Sequence, residues 1–258
     1  MSKLVEKLKQ ASEREAQPLG FGTKASVKKP QMVLMASLTK DDIKMATSAV
    51  EGGADALLVA LHSVAEEANE LDQILQLAAD VPCGVWSEAP TAEEMKQVRE
   101  MGCDFVLFDG AKTPSGLLRE EELGRVIKVE HSLADSLVRT IDRLPIDALF
   151  IDCRVEEKLP LSVYQLMAYH RLAALTRKPL LVVAPSLMSD LDVETLWEVG
   201  IVGILLKAEA GPIEDRLSVL RQAIDKLPSS RKRPRPGEDA VLPHLGEQPP
   251  PPQRERPR

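Results

Sequence analysis

Apolar runs recur along this chain behind a turn residue, in lines that repeat with small changes. Gly53-Ala-Asp-Ala-Leu-Leu-Val, Gly102-Cys-Asp-Phe-Val-Leu-Phe, Pro145-Ile-Asp-Ala-Leu-Phe-Ile and Gly200-Ile-Val-Gly-Ile-Leu-Leu form one series. Four further apolar runs alternate with them: Gln31 to Ala36, Pro82 to Trp86, Val126 to Val129, and Pro179 to Ala184. Each run is apolar at successive positions, as expected of parallel strands covered on both faces. Strands are therefore predicted to start near Gln31, Asp55, Cys83, Asp104, Val126, Asp147, Leu180 and Val202.

Helical periodicity fills the intervals. Helices are predicted over Thr39–Val50, Val64–Ala79, Thr91–Met101, Leu133–Leu144, Leu161–Thr176, Asp190–Val199 and Ile213–Lys226, with a shorter one over Ser115–Leu123. Thr91 precedes Glu94 by three residues, the spacing of a capping box. Gly211-Pro212 offers a cap followed by a proline at the first helical position. Gly102 and Gly200 stand where a helix must stop and turn into a strand. Ahead of the first strand, residues 2–16 carry Leu4, Val5, Leu8 and Ala11 on one stripe and read as an additional helix, which ends toward the breaker-rich loop Pro18-Leu-Gly-Phe-Gly22.

Eight alternating β/α units predict a single (β/α)8 barrel over residues 31–227, with residues 1–30 as an N-terminal helix and loop. A doubly wound open sheet shares the element order. The count of eight and the pairwise resemblance of units at a period of roughly 50 residues favour the closed ring, because an open sheet needs distinct edge strands. On these residues the chain resembles the aldolase-type TIM barrels in general, and carries the motif of no single family within them. From 228 to 258 the pattern stops. Arg231-Lys-Arg-Pro-Arg235 and Pro249-Pro-Pro-Pro252 stand in a segment without apolar periodicity, which reads as a disordered tail with polyproline character.

The 258 residues carry a formal charge of −7. Beyond Pro228 seven Arg and Lys stand against four Asp and Glu, a net +3, so residues 1–228 carry −10. An acidic body with few aromatic side chains argues against nucleic acid and anionic membranes as partners and leaves a small-molecule ligand as the expected one. Cys83, Cys103 and Cys153 lie in or beside strands without framework spacing, which predicts buried free thiols in a reducing compartment. With no apolar signal core and no run of membrane-spanning length, the expected location is the cytoplasm.

Barrel enzymes work where strands end and βα loops begin. Four successive predicted strands end in acids: Glu88, Asp109, Glu130 and Asp152. Adjacent strand tips lie about 4.8 Å apart, so Glu88, Asp109 and Glu130 could converge on a hard cation such as Mg2+ or Mn2+. The enolase superfamily is similar in placing acidic ligands on successive strand ends. The competing reading has these acids capping helices or pairing with rim cations.

Lys128, on the same strand face as Glu130, and Lys207, at the end of the eighth strand, suit a base, a Schiff-base nucleophile or an electrophilic cation. They suit equally an internal ion-pair network with the acids. Glu130 and Asp152 are the matching candidates for acid–base work, and Arg154 could clamp a substrate carboxylate. His62, His131 and Ser186, just past strand ends, are candidate substrate contacts. The loop after strand seven has no glycine for a phosphate gripper; Gly211 after strand eight could open a helix N-terminus suited to an anion, but Glu209, Glu214 and Asp215 surround it and would repel phosphate. That disfavours flavin mononucleotide. The function these residues imply is a lyase or isomerase acting on a small polar carboxylate or oxo-acid, with a non-catalytic binding or scaffold barrel as the alternative.

Overall fold

A computed structural model describes residues 2–12, 31–119, 121–153, 160–185, 188–208 and 212–228. The expected tail, the Pro18–Gly22 loop, Arg154, Ser186, Glu209 and Gly211 lie outside the described residues. Eight strands alternate with helices: α1 (Lys3–Ser12), β1 (Val33–Thr39), α2 (Ile43–Glu51), β2 (Ala56–Ala60), α3 (Ala68–Leu77), β3 (Cys83–Ser87), α4 (Ala92–Glu100), β4 (Phe105–Asp109), β5 (Gly124–Glu130), α5 (Asp135–Ile141), β6 (Ala148–Asp152), α6 (Val163–Leu175), β7 (Leu180–Val183), α7 (Asp190–Val199), β8 (Gly203–Lys207) and α8 (Ile213–Asp225). All neighbouring strands pair in parallel, and β8 returns to β1 to close the barrel. The open-sheet alternative is excluded by that closure. The helix expected over Ser115–Leu123 is a 3-10 turn, Ser115–Arg119; Pro114 and Gly116 flank its start and disfavour a longer α-helix.

Alternation along each strand divides the apolar residues between two cores. Leu34, Ala36, Leu57, Val59, Val85, Val106, Ile151 and Leu206 face the helices. Val33, Met35, Leu58, Phe105, Leu107, Val126, Phe150 and Leu205 fill the barrel. Leu4 and Leu8 of α1 belong to the inner cluster, each 0% exposed. The helix therefore seals the end of the barrel at which the strands begin.

Asp104, just before β4, fixes this seal. Its carboxylate accepts from Ser2 Oγ at 2.7 Å and from the backbone N–H groups of Lys3 and Leu4 at 2.7 and 2.9 Å. Those N–H groups belong to the first turn of α1, where no intrahelical acceptor exists and negative charge is favoured. Ser2 lies so close to β5 that a Cβ at Gly124 would sit 2.6 Å from its hydroxyl. The other two aspartates of the recurring line are likewise structural. Asp55 accepts from Leu34 N at 2.9 Å and Arg221 Nη1 at 2.9 Å; Asp147 accepts from Arg125 N at 2.9 Å and Nε at 3.1 Å.

The capping box at Thr91 forms as expected, and equivalent boxes at Ser162/Gln165 and Ser189/Asp192 open α6 and α7. Gly102 and Gly200 adopt φ of 95° and 116° behind α4 and α7, a conformation that costs a residue with a Cβ. Because Leu8 is fully enclosed, Leu8→Ala is expected to lower unfolding free energy by about 2–5 kcal/mol, read from urea denaturation. A loss of less than about 1 kcal/mol would show that α1 is not part of the cooperative core.

Candidate active site at the barrel mouth

The inner core ends, toward the carboxyl ends of the strands, in Met35, Leu58, Leu107, Phe150 and Leu205, with Trp86 and Val183 packed on it. Two positions further along the same faces stand polar residues, among them Asp109 on β4 and Asp152 on β6. Lys128 is in register with Asp109 and with Phe150, and Glu130 with Asp152. The Lys128 side chain rises from its own level to the next, and its Nζ lies 2.8 Å from Asp152 Oδ2. Only 21% of the lysine side chain and 22% of the aspartate side chain are exposed. The same ammonium stands 5.3 Å from the centre of the Trp86 ring, within the range of a cation–π contact. An ammonium, a carboxylate and an indole thus meet over an apolar floor. Water screens such charges less there than at the rim.

The other candidates are arranged differently. Glu88 is exposed, and Lys112, from the loop after β4, reaches back to its carboxylate. The hydrogen bond from Lys112, its charge, and more distantly that of Lys128 hold the Glu88 carboxyl below its ordinary range. Asp109 is occupied by its own turn: Oδ1 accepts from Ala111 N at 2.9 Å, and its carbonyl accepts from Thr113 Oγ1 at 2.7 Å. Glu130 is exposed and accepts from Ser132 Oγ at 3.3 Å. Among the described residues no three His, Cys, Asp or Glu side chains come close enough to hold a metal ion. Glu88, Asp109 and Glu130 are thus not gathered into such a group: a lysine pairs with the first and a turn engages the second.

Lys207 ends β8 in register with Ser37 and is exposed. His62 is exposed, and its backbone N–H donates to Glu67 Oε2 at 2.8 Å. His131 Nε2 lies 3.2 Å from the Tyr164 hydroxyl, the rings meeting edge to face. His62 is exposed and His131 half-buried, whereas the Lys128 and Asp152 side chains are largely enclosed. Trp86 was not distinguishable in sequence from a core residue, and Lys112 was hidden in a loop whose path the sequence does not define.

The three cysteines are free. Burial pushes the Cys103 thiol up to about 12 and raises those of Cys83 and Cys153. They are packing residues, since the thiolate is the nucleophile.

No known protein family and no curated protein matches the sequence. Solved structures do. Ligand-free tryptophan synthase from M. tuberculosis is 11% identical, with 87% of this chain and 99% of that one covered at a TM-score of 0.60. A mutant tryptophan synthase alpha-subunit from the hyperthermophile Pyrococcus furiosus is 14% identical, covering 76% and 97% at 0.56. A native KDPGal structure is 17% identical, covering 74% and 94% at 0.57. Together with the closed parallel barrel, these neighbours show that the chain has the (β/α)8 barrel fold. At these identities they define its fold alone. No helix among the described residues is long and apolar enough to cross a membrane.

Two measurements check the mouth. A double-mutant cycle of Lys128→Met and Asp152→Asn is expected to give a coupling on the order of 1 kcal/mol in urea denaturation, between the values of exposed and buried pairs; additive losses would show that the pair makes no net contribution. Lys112→Gln should raise the Glu88 titration midpoint toward the ordinary carboxylate range, read by carbon NMR of its carboxyl group. The sign follows from the lowered carboxyl: the Lys112 contact favours ionised Glu88, so its contribution is present above the ordinary carboxyl range and is lost as the solution is acidified. An unmoved midpoint would remove Lys112 as the cause.

Proposed function

We propose that the barrel mouth is the active site of a lyase or isomerase that acts on a small polar carboxylate or oxo-acid. The observation that carries this reading is the Lys128–Asp152 pair, four-fifths enclosed and set against Trp86 on an apolar floor. An ammonium and a carboxylate held together in this way suit removal of a proton next to a carbonyl group. The Asp152 carboxylate takes the proton, the C–H electrons form the enolate C=C bond, and the carbonyl oxygen gains the negative charge. The Lys128 ammonium then faces that oxygen, where positive charge lowers the barrel's cost of forming it. Where the deprotonated carbon carries a hydroxyl, transfer of the hydroxyl proton to the enolate oxygen and return of the Asp152 proton to the former carbonyl carbon complete an isomerisation; departure of a leaving group with its bonding pair from the next carbon, taking up the Asp152 proton, completes an elimination.

Lys207 supplies a second cation at the rim for a substrate carboxylate. The neighbouring barrels contribute the fold to this reading, and the reaction class rests on the mouth chemistry. The alternative is a non-catalytic binding or scaffold barrel. It draws on the same pair, since an ion pair that only neutralises itself serves as structure.

Proton NMR in D2O separates the two. With a panel of 2-oxo and 2-hydroxy acids, the protein is expected to exchange carbon-bound hydrogen of at least one compound. Asp152→Asn should slow that exchange by about 10²-fold or more, the usual contribution of a positioned base. Ligand-induced thermal stabilisation without exchange would establish the binding reading instead. Absence of both across the panel would sink the proposed substrate class.

A further inference from the structure

We propose that Tyr169, buried behind β6, is a positioning residue for Asp152 and acts on it through Cys153. The inference rests on the reading of Asp152 as the base at the mouth. The sheet holds Asp152 more firmly on one side than on the other. Pairing with β5 continues to Glu130↔Asp152, whereas pairing with β7 stops at Ile151↔Val182, one residue earlier. On the β5 side the last bond is long: His131 N–H donates to the Asp152 carbonyl at 3.4 Å, beyond the usual range for such bonds. A carboxylate at the end of a strand keeps its place beside Lys128 only if the backbone after it is fixed.

The next residue supplies that fixation. Successive side chains point to opposite faces of a strand, so Asp152 turns into the mouth and Cys153 turns outward. Cys153 packs on the outer core, to which Tyr169 of α6 belongs. There the Tyr169 hydroxyl is hydrogen-bonded to both Cys153 and Gln165. Tyr169 is 2% and Gln165 6% exposed, so neither side chain can turn its polar group to bulk water.

The direction of these bonds follows from the cap of α6. Ser162 N and Oγ lie 2.8 and 3.0 Å from Gln165 Oε1. A backbone N–H can only donate, which fixes the amide carbonyl toward Ser162 and turns the amide NH2 to Tyr169. The Tyr169 oxygen therefore accepts from Gln165, and its one proton is left for Cys153 Sγ. A chain of donors runs from the start of α6 to the end of β6. Phenylalanine would fill the same space without a buried hydroxyl to satisfy, so packing alone does not account for the tyrosine. Misplacing a reacting group by about 1 Å can cost on the order of 10²-fold in rate. A bond that fixes the residue next to the base acts on that scale.

Carbon NMR of the Asp152 carboxyl and nitrogen NMR of the Lys128 ammonium test the chain in the full-length protein without any substrate. Tyr169→Phe keeps the ring and removes only the hydroxyl, and is expected to shift both resonances. Cys153→Ala should shift them likewise, whereas Cys153→Ser, which keeps an acceptor for the Tyr169 proton, should return them toward the wild-type positions. Cys103→Ala, at a buried thiol outside the chain, should leave both in place. Thermal unfolding identifies a variant that does not fold, and the other then decides. Unmoved resonances in folded Tyr169→Phe or Cys153→Ala protein would overturn the proposal. Turnover separates it from the reading beneath it. With a compound of the acid panel that exchanges, Tyr169→Phe should lower kcat by about tenfold or more at an unchanged KM; a raised KM at an unchanged kcat would overturn the positioning role. If no compound exchanges, the proposed reaction fails, and the resonances alone decide whether Tyr169 positions the carboxylate.

Discussion

The contact between Asp104 and the first turn of α1 is the one on which the layers above it rest. A barrel of eight strands must fill its own interior, and at the end where the strands begin this chain leaves room. Gly84, Gly124 and Gly203 put no side chain there. Phe105 takes the space at Gly84, and Leu181 takes that at Gly203. α1 supplies Leu4 and Leu8 for the remainder. A helix of ten residues would not hold that position by burial alone, since its first N–H groups would be left unsatisfied beside an apolar core. One carboxylate answers two of those donors and the Ser2 hydroxyl together. The packing of Phe105, Leu107 and Phe150 above the helix then provides the floor on which Lys128 and Asp152 stand.

Much of this fold was legible in the sequence because a parallel barrel strand is buried on both sides. Its run of apolar residues needs no phase to be recognised, and the glycine that stops the preceding helix marks where it begins. The recurring aspartate was visible, but its purpose was not. Asp55 and Asp147 each accept from a backbone N–H of the adjacent strand and from an arginine, Arg221 or Arg125, whereas Asp104 holds the start of α1. The fourth line has Val202 at that place, 3% exposed and packed in the inner core with Leu4 and Leu8. The helix expected after β4 failed for a local reason, since Pro114 and Gly116 outweigh the apolar pair Leu117 and Leu118 in so short a segment.

The candidate site was legible as a set of strand ends and illegible as a set of contacts. Strand ends follow from the pattern. Which acid a lysine reaches depends on the stagger between strands and on the length of the lysine side chain, and neither is written in residue spacing. Lys128 is level with Asp109 yet bonds Asp152, because its stem carries the ammonium one layer toward the mouth. Glu88 is removed from the centre by Lys112, a loop residue whose approach depends on the turn that Asp109 organises.

This distribution of partners sets the electrostatic character of the mouth. Four acids at successive strand tips would make a strongly negative well suited to a bare cation. The structure instead gives Glu88 a lysine from a neighbouring loop, and Asp152 a lysine from the adjacent strand. The field then alternates over short distances. A ligand gains most from such a mouth if it carries an acceptor and a donor a few atoms apart, because each of its groups can replace one partner of a pair without stranding the other. An ion of either sign gains less, since binding it would separate an ammonium from its carboxylate and leave one charge uncompensated in a poorly solvated place. On the proposed reading, a small polar molecule is therefore favoured over a metal ion, because these charges are already matched.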